Sequence, residues 1–267
     1  MNFNDLSERP YLMFLWALIM SSIAIIISLQ VSFEIAVGAS TFNLGGVFAL
    51  LFTIIPSTYF ITVLLKKEEA LAEKDFAKKG KRSMWGRHEK DIIIMLFYFA
   101  GVTIAFALWS MVLANGFFQI QDYQIDKVRS SFSPGGVSGG AINDMNQFGM
   151  ILTNNLQVMI FAFLFSFIFG AGAVFIIAWN ASILGVFIGQ LSKHLWEVPI
   201  VGLSFIPHGI PEIGGYIAAA LSGGLISAAI IRKSNTRVIG LVVLDALKIF
   251  GLGVMLIVLG AGIEAFL

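Results

Sequence analysis

Long apolar runs with few charged residues recur along the chain, and they constrain its fold more than any other feature. The clearest run extends from Tyr11 to Phe33. A helix needs about 20 apolar residues to cross the hydrocarbon core of a bilayer. With 58% hydrophobic and 12% charged residues and a mean hydropathy of +0.88, the chain is far more apolar than an ordinary globular domain. The sequence therefore predicts an all-α protein, a polytopic transmembrane helical bundle.

We treat 1–267 as a single integral membrane domain with one interruption. Asn180 interrupts the apolar sequence, and the stretch after it is too short to cross a bilayer alone. Gly170 and Gly172, inside the preceding span, would permit close helix packing. We therefore predict a broken or re-entrant segment over 181–207, among spans at about 11–33, 44–65, 91–114, 155–179, 211–231 and 238–265.

Three of the six prolines fall in the sequence WEVPIVGLSFIPHGIPEIGGY, which begins at Trp196. Proline disfavours helical dihedrals in the residue before it, so we predict irregular backbone between Pro199 and Pro211 and a helix that starts at Pro211. His208 and Glu212 flank this start. Two interpretations stay open: an intramembrane polar site, or hydrogen bonding that holds the break in shape.

Other polar residues lie inside the predicted spans. Asp245 and Lys248 are three residues apart on one helix face, where they can pair, and we expect the pair to face protein rather than lipid. The residues that form the candidate functional or structural polar site are Asn180, His208, Gly209, Glu212, Asp245, Lys248 and Glu264.

Basic residues are concentrated between Lys66 and Lys90, which hold nine of the seventeen Lys and Arg. Cytoplasmic loops carry such an excess, so we predict that this loop and the N-terminus are cytoplasmic, in a multi-pass protein of the cell membrane. Residues 115–153 would then form an extracytoplasmic loop. Its aromatic residues Phe117, Phe118 and Tyr123 could lie in the membrane interface on a short amphipathic helix.

Several classes of chemistry have no support in the sequence. The chain has no cysteine, which excludes disulfides and thiolate metal sites. It also lacks the HExxH and GxxxxGK[ST] motifs. The net charge of +1 gives no overall field for nucleic acid. We expect no enzyme activity, cofactor or metal; the remaining catalytic alternative is an intramembrane hydrolase built on His194, Glu197, His208 and Glu212.

The order of motifs from Asn154 onward resembles the stage II sporulation protein M family. The matching features are paired asparagines at the start of a span, two glycines, the sequence WNASILGVFIG, the sequence PHGIPE, a helix of small residues and a late glutamate. They correspond to Asn154, Asn155, Gly170, Gly172, Asn180, Gly185, Pro207, His208, Gly209, Glu212 and Glu264. The resemblance implies a polytopic membrane protein without known catalytic activity, similar to scaffolds that hold cell-wall-degrading partners.

Two functions from different classes follow, and the sequence favours the first, with the second as the alternative. The first is a membrane scaffold or assembly component whose partners are membrane lipid, other membrane or extracytoplasmic proteins, and copies of itself. The second is a transporter or permease subunit with a polar intramembrane site at His208 and Glu212.

Overall fold

The computed structural model describes residues 9–37, 40–59, 61, 84–113, 116–132, 140–169, 172–231 and 236–266. Their helices and strands, in chain order, are α1 Pro10–Val31, β1 Glu34–Val37, β2 Ser40–Asn43, α2 Gly45–Tyr59, α3 Met84–Val112, α4 Gln119–Phe132, α5 Gly140–Phe169, α6 Ala173–Leu191, α7 Glu197–Ser204, α8 Ile206–Ile231 and α9 Thr236–Phe266.

The predicted fold class, an all-α polytopic membrane bundle, is confirmed. Among the described residues, six helices are long and apolar enough to cross a membrane: Pro10–Val31, Glu89–Val112, Asp144–Phe169, Val174–Leu191, Ile206–Ile231 and Ile239–Phe266. The predicted span over 44–65 is described as far as the shorter apolar helix α2. Most of the predicted basic loop over 66–90, namely residues 66–83, lies outside the described residues, as does the end of the predicted span at 62–65.

Small residues let the long helices approach closely. The added Cβ of an alanine at Gly185 of α6 would lie 2.5 Å from the backbone oxygen of Thr103 in α3, and one at Gly189 would lie 2.6 Å from that of Ala107. Because both contacts advance together along the two chains, α3 and α6 run in the same direction. Glycine removes the Cβ that would hold these backbones apart.

Helices α5, α8 and α9 form a second packed group. Asn155 of α5 bonds to Tyr216 of α8, and further along both helices Gly223 packs on the backbone of Phe163, so α5 and α8 are parallel. Helix α9 runs the other way, since its residue Gly260 lies against Glu212 near the start of α8. One end of the bundle therefore contains the start of α8 and the end of α9.

The interruption predicted at Asn180 lies elsewhere. Helix α6 continues through Asn180, whose side-chain amide donates to the backbone oxygen of Ile176 at 2.8 Å and so needs no break in the helix. The predicted span 155–179 is instead divided near Gly172, the residue that caps α6, where the chain passes directly over the backbone of Phe165. Glycine at this position allows that approach because a side chain would collide.

The helix predicted to start at Pro211 starts five residues earlier. Helix α7 ends at Ser204, and α8 begins at Ile206 after the single connecting residue Phe205. Pro207 is the second residue of α8, where a backbone N–H has no intrahelical partner to lose. Pro211 lies inside α8 and removes only the bond to the carbonyl group of Pro207, a loss that this helix tolerates.

The predicted extracytoplasmic loop is largely helical. Helix α4 occupies its first part and α5 begins at Gly140. Phe117 and Phe118 are buried rather than interfacial, because their rings pack against each other at 5.0 Å and Phe118 also packs on Phe106 at 5.5 Å. Tyr123 is exposed.

Strands β1 and β2 form an antiparallel hairpin, which places Asn43 where its N–H donates to the Gln119 side chain at 2.7 Å.

Candidate functional site

A cavity of about 250 Å³ lies between the long helices, toward the end of the bundle where α8 begins and α9 ends. Five long helices, α3, α5, α6, α8 and α9, contribute to its wall, and Ile125 of the short helix α4 completes it. The cavity is not sealed, since Glu264 and the half-buried His208 at its edge keep solvent-accessible surface. This position places polar side chains inside an apolar bundle.

A chain of hydrogen bonds runs along one wall of the cavity. The Tyr216 hydroxyl donates to Asn155 Oδ1 at 2.6 Å, and Asn155 Nδ2 donates to Glu212 Oε1 at 2.6 Å. The carboxyl group of Glu264, from α9, adjoins that of Glu212 at the same cavity. Tyr216 and Glu212 are one helical turn apart, so α8 presents both toward Asn155 on α5. This row of polar groups starts at the exposed Glu264 and ends at Tyr216. Tyr216 lies about 15 Å along α8 from Ile206, the first residue of that helix.

The two carboxyl groups meet because α9 carries glycine at the contact. A Cβ at Gly260 would lie 2.5 Å from Glu212 Cγ and 3.0 Å from the backbone oxygen of His208. The oxygens of a carboxylate accept hydrogen bonds. The remaining carboxyl oxygens form an acceptor-rich and negatively charged edge of the cavity.

Most of the polar residues that the sequence singles out meet at this cavity. Asn180, His208, Gly209, Glu212 and Glu264 all line it. The His208 ring packs edge-on against Phe205, with the ring centroids 5.8 Å apart.

Asp245 and Lys248 lie elsewhere on α9. Asp245 is 19 residues before Glu264, which is about 28 Å along a helix. Asp245 is buried, whereas Lys248 is exposed, so the two residues do not both face protein as expected of the pair. The structure therefore separates this pair from the cavity.

Two members of the polar chain, Asn155 and Tyr216, are absent from the site predicted from sequence. Tyr216 carried a usable signal, because it follows Glu212 by one helical turn in α8. Asn155 has no such signal as a ligand of Glu212, because 57 residues separate them and only the packing of α5 on α8 brings them together. The apolar part of the wall, which includes Phe99, Phe187 and Phe205, was also not predicted.

The polar side chains at the cavity suit a guest that donates hydrogen bonds or carries positive charge better than they suit a metal ion. Among the residues that the structure describes, no group of three His, Cys, Asp or Glu side chains is placed to hold a metal ion. The cavity instead offers two carboxyl groups together with the amides of Asn154 and Asn180 and apolar walls. Such a set can bind positive charge through charge-assisted hydrogen bonds.

Helix α4 is held against the bundle by amide side chains next to the cavity. Gln121 is fully buried and donates to the Gly46 backbone oxygen at 3.2 Å and to Ser182 Oγ at 3.4 Å. Gln190 Nε2 donates to Asp122 Oδ1 at 2.7 Å. Burial raises the pKa of Asp122, the neighbouring carboxylate of Asp126 raises it further, and the bond from Gln190 opposes both.

Comparison with known proteins gives one family and one distant relative. A family model described as Stage II sporulation protein M matches residues 93–267, a range that contains every cavity residue named above. Uncharacterized protein MJ0793 of Methanocaldococcus jannaschii is 27% identical over 172 residues, which cover 62% of this chain and 92% of that protein. No solved structure matches the chain significantly.

Proposed function

The chain belongs to the stage II sporulation protein M family, as its motifs predict, and from that premise we propose that it acts without catalysis as a membrane carrier or permease subunit. Its cavity would bind a proton or cation at Glu212 and Glu264. This is the transport alternative of the two functions that the sequence leaves open. The scaffold function is retained below as the second candidate.

The hydrogen-bonded chain Tyr216–Asn155–Glu212, with Glu264 beside its end at the cavity, is the observation that carries this proposal. Ionisable side chains within membrane spans are rare, because an uncompensated charge there is energetically unfavourable, and they commonly mark ion or substrate pathways. Here two of them share one wall of an open cavity rather than a packed interface. A purely structural pair needs no cavity beside it.

For the orientation, we propose a cytoplasmic N-terminus and a cytoplasmic loop over 66–90. Three basic residues follow Ile231 in the sequence: Arg232, Lys233 and Arg237. They would then also be cytoplasmic. The start of α8 and the end of α9 would face outward. This orientation requires successive long helices to cross the membrane in alternating directions. Helix α6 is long enough to make one of these crossings. The cavity would open on the extracytoplasmic side of the cell membrane.

Cation exchange in reconstituted vesicles tests the proposal. Vesicles that contain the purified protein and a trapped pH-sensitive dye receive an external pulse of Na⁺, K⁺ or NH₄⁺. We expect at least one cation to change the internal pH, with loss of the response in Glu212→Gln. Glu89→Gln is the matched control, because Glu89 is an exposed glutamate of α3 outside the cavity. A response unaffected by Glu212→Gln would remove the proposal.

The scaffold function is favoured by one separate observation, the fixed surface of α4. Buried Gln121 and Phe118 anchor this helix, while Tyr123, Asp126 and Lys127 point outward and are exposed. A rigid, exposed face of mixed charge next to an aromatic ring suits contact with another protein. The proposed partners are membrane or extracytoplasmic proteins, other copies of this chain, and the surrounding lipid.

Purification in mild detergent from native membranes tests the scaffold function. Mass spectrometry would identify proteins that remain bound at stoichiometric levels. The variant Tyr123→Ala/Lys127→Ala should release a partner held by α4, whereas Glu34→Gln, a change at an exposed position in β1, should retain it. A chain recovered alone, with its exchange activity intact, would leave transport as the function.

A further inference from the structure

We propose that the cavity binds an organic ammonium compound, with its ammonium group at Glu212 and Glu264 and its apolar body against the phenylalanine rings of the wall. This inference rests on the proposed cation-binding function and narrows it to one chemical class. It depends on how charge, aromatic surface and volume are distributed around the same cavity.

The polar wall is matched to a donor that carries positive charge. Asn155 supplies one hydrogen bond to Glu212 and is itself held by Tyr216, so this side of the site is fixed in position. Both Asn155 and Tyr216 are buried, whereas Glu264 at the edge is exposed. An ammonium group has three N–H donors and no acceptor, which complements two carboxyl groups that have unoccupied acceptor positions.

The opposite walls are aromatic and aliphatic. Phe187 and Phe205 lie edge to face with ring centroids 5.6 Å apart, and both line the cavity together with Phe99. Ile183, Leu184 and Ile213 complete this apolar surface. Aromatic faces attract cations, and apolar surface favours the removal of a hydrocarbon group from water. An inorganic cation would use the carboxyl groups but leave these walls without a partner.

The volume also favours a guest larger than a hydrated proton or a bare ion. A cavity of about 150 Å³ is enough to hold benzene in a protein interior. The cavity of about 250 Å³ therefore has room for a ring or short alkyl group with an ammonium head.

Two sources can supply this chemistry: a free amine in solution, or the ammonium headgroup of a phospholipid at the membrane surface. Both place the nitrogen at the mouth of the cavity, beside Glu264. Separate arms of the experiment distinguish them.

The first arm measures binding of 2-phenylethylammonium to the detergent-purified protein by calorimetry, with the uncharged isostere 2-phenylethanol as the control compound. We expect binding of the amine and at least tenfold weaker binding of the alcohol. Glu212→Gln should weaken amine binding by about tenfold or more, since it removes a charge-assisted interaction. Glu89→Gln should leave it unchanged.

A second variant keeps the test decisive if Glu212→Gln does not fold. Phe187→Leu keeps an apolar side chain but removes the ring, and we expect about fivefold weaker amine binding.

Retention of phosphatidylethanolamine over phosphatidylglycerol through purification, with displacement by 2-phenylethylammonium, would assign the lipid headgroup. Amine binding without such retention would assign a free amine.

The outcomes distinguish a failure of this inference from a failure of the proposed cation-binding function on which it rests. Glu212-dependent exchange of Na⁺, K⁺ or NH₄⁺, with no binding of 2-phenylethylammonium and no retained phosphatidylethanolamine, overturns the organic-ammonium inference and leaves the proposed function standing. Equal binding of the amine and the alcohol also overturns it. No Glu212-dependent binding or exchange of any cation removes both.

Discussion

Gly260 of α9 lies directly against Glu212 of α8, close enough that an added Cβ at position 260 would stand 2.5 Å from Glu212 Cγ. The same atom would lie 3.0 Å from the backbone oxygen of His208. This contact brings the last helix against the carboxylate of the preceding one, and it determines where Glu212 sits relative to Glu264 and the cavity.

Gly260→Ala should therefore displace Glu212. The added methyl group must move either the glutamate stem or the backbone of α8, at a cost of about 1–3 kcal/mol in unfolding free energy. Cation exchange and 2-phenylethylammonium binding should fall with it. Gly262→Ala is the matched control on the same helix, because among the described residues no atom outside the adjoining turns of α9 lies within 4 Å of its Cβ position. Denaturant unfolding in detergent measures the stability. Equal stability of the two variants would contradict the contact.

Asn155 bridges Tyr216 and Glu212, and this arrangement predicts non-additive mutations. Tyr216→Phe should cost about 0.5–1.5 kcal/mol, the usual worth of one hydrogen bond. Asn155→Leu should cost about 1–3 kcal/mol, because it leaves a buried hydroxyl group and a carboxyl group without the partner. Once Asn155 is gone, Tyr216→Phe should cost less than it does alone. A thermal-unfolding cycle measures this coupling, and strict additivity would show that the bond contributes nothing.

The spans could be predicted from sequence because the signal for them is local. A run of apolar residues reports its own burial in lipid, whatever packs beside it. The breaks were harder to place. Pro207 and Pro211 suggested irregular backbone, but Pro207 falls in the first helical turn, where a missing N–H costs little, and Pro211, inside the helix, removes only the bond to the carbonyl group of Pro207. Gly172 marks the real division because of how closely Phe165 approaches it, and that distance depends on the fold.

The candidate site also contains some residues with a local signal in the sequence and others whose role depends on the fold. His208, Glu212 and Glu264 could be selected from sequence, because an ionisable residue in an apolar run is unusual in itself. The role of Asn155 could not be, because the sequence marks it only as one of two asparagines at the start of a span, and the aromatic wall could not be, because phenylalanine is common in such runs. Only the parallel packing of α5 on α8 makes Asn155 the ligand of Glu212.

The cavity should be reachable by water-soluble reagents from one side of the membrane. The chain has no cysteine, so each single-cysteine variant reports one position. His208→Cys and Tyr123→Cys should react with a charged maleimide from the same face, and Glu89→Cys from the opposite face. Saturating 2-phenylethylammonium should slow labelling of His208→Cys and leave Tyr123→Cys unaffected. Protection of His208→Cys from both faces would indicate structural packing instead of a cavity.

Asp122 should make the stability of the protein depend on pH. Burial raises the pKa of this carboxyl group, so in the acidic range the folded protein holds a proton that the unfolded chain has released. The folded state then binds more protons, and the free energy of unfolding falls as the pH rises through this window, which begins at about pH 4. The stabilisation by the bound proton is therefore lost at neutral pH.

Asp122→Asn should remove this dependence. An amide carries no charge to desolvate or to repel Asp126, and its oxygen can still accept the hydrogen bond from Gln190. We expect the variant to unfold at a higher temperature than the unmodified protein at pH 7, and to show a smaller fall in stability between about pH 4 and pH 7. Glu34→Gln, at an exposed position in β1, should leave the pH profile unchanged. Melting curves across this pH range, recorded in one detergent, measure both effects. A pH profile of Asp122→Asn that overlays that of the unmodified protein would show that Asp122 is solvated like an ordinary surface carboxylate.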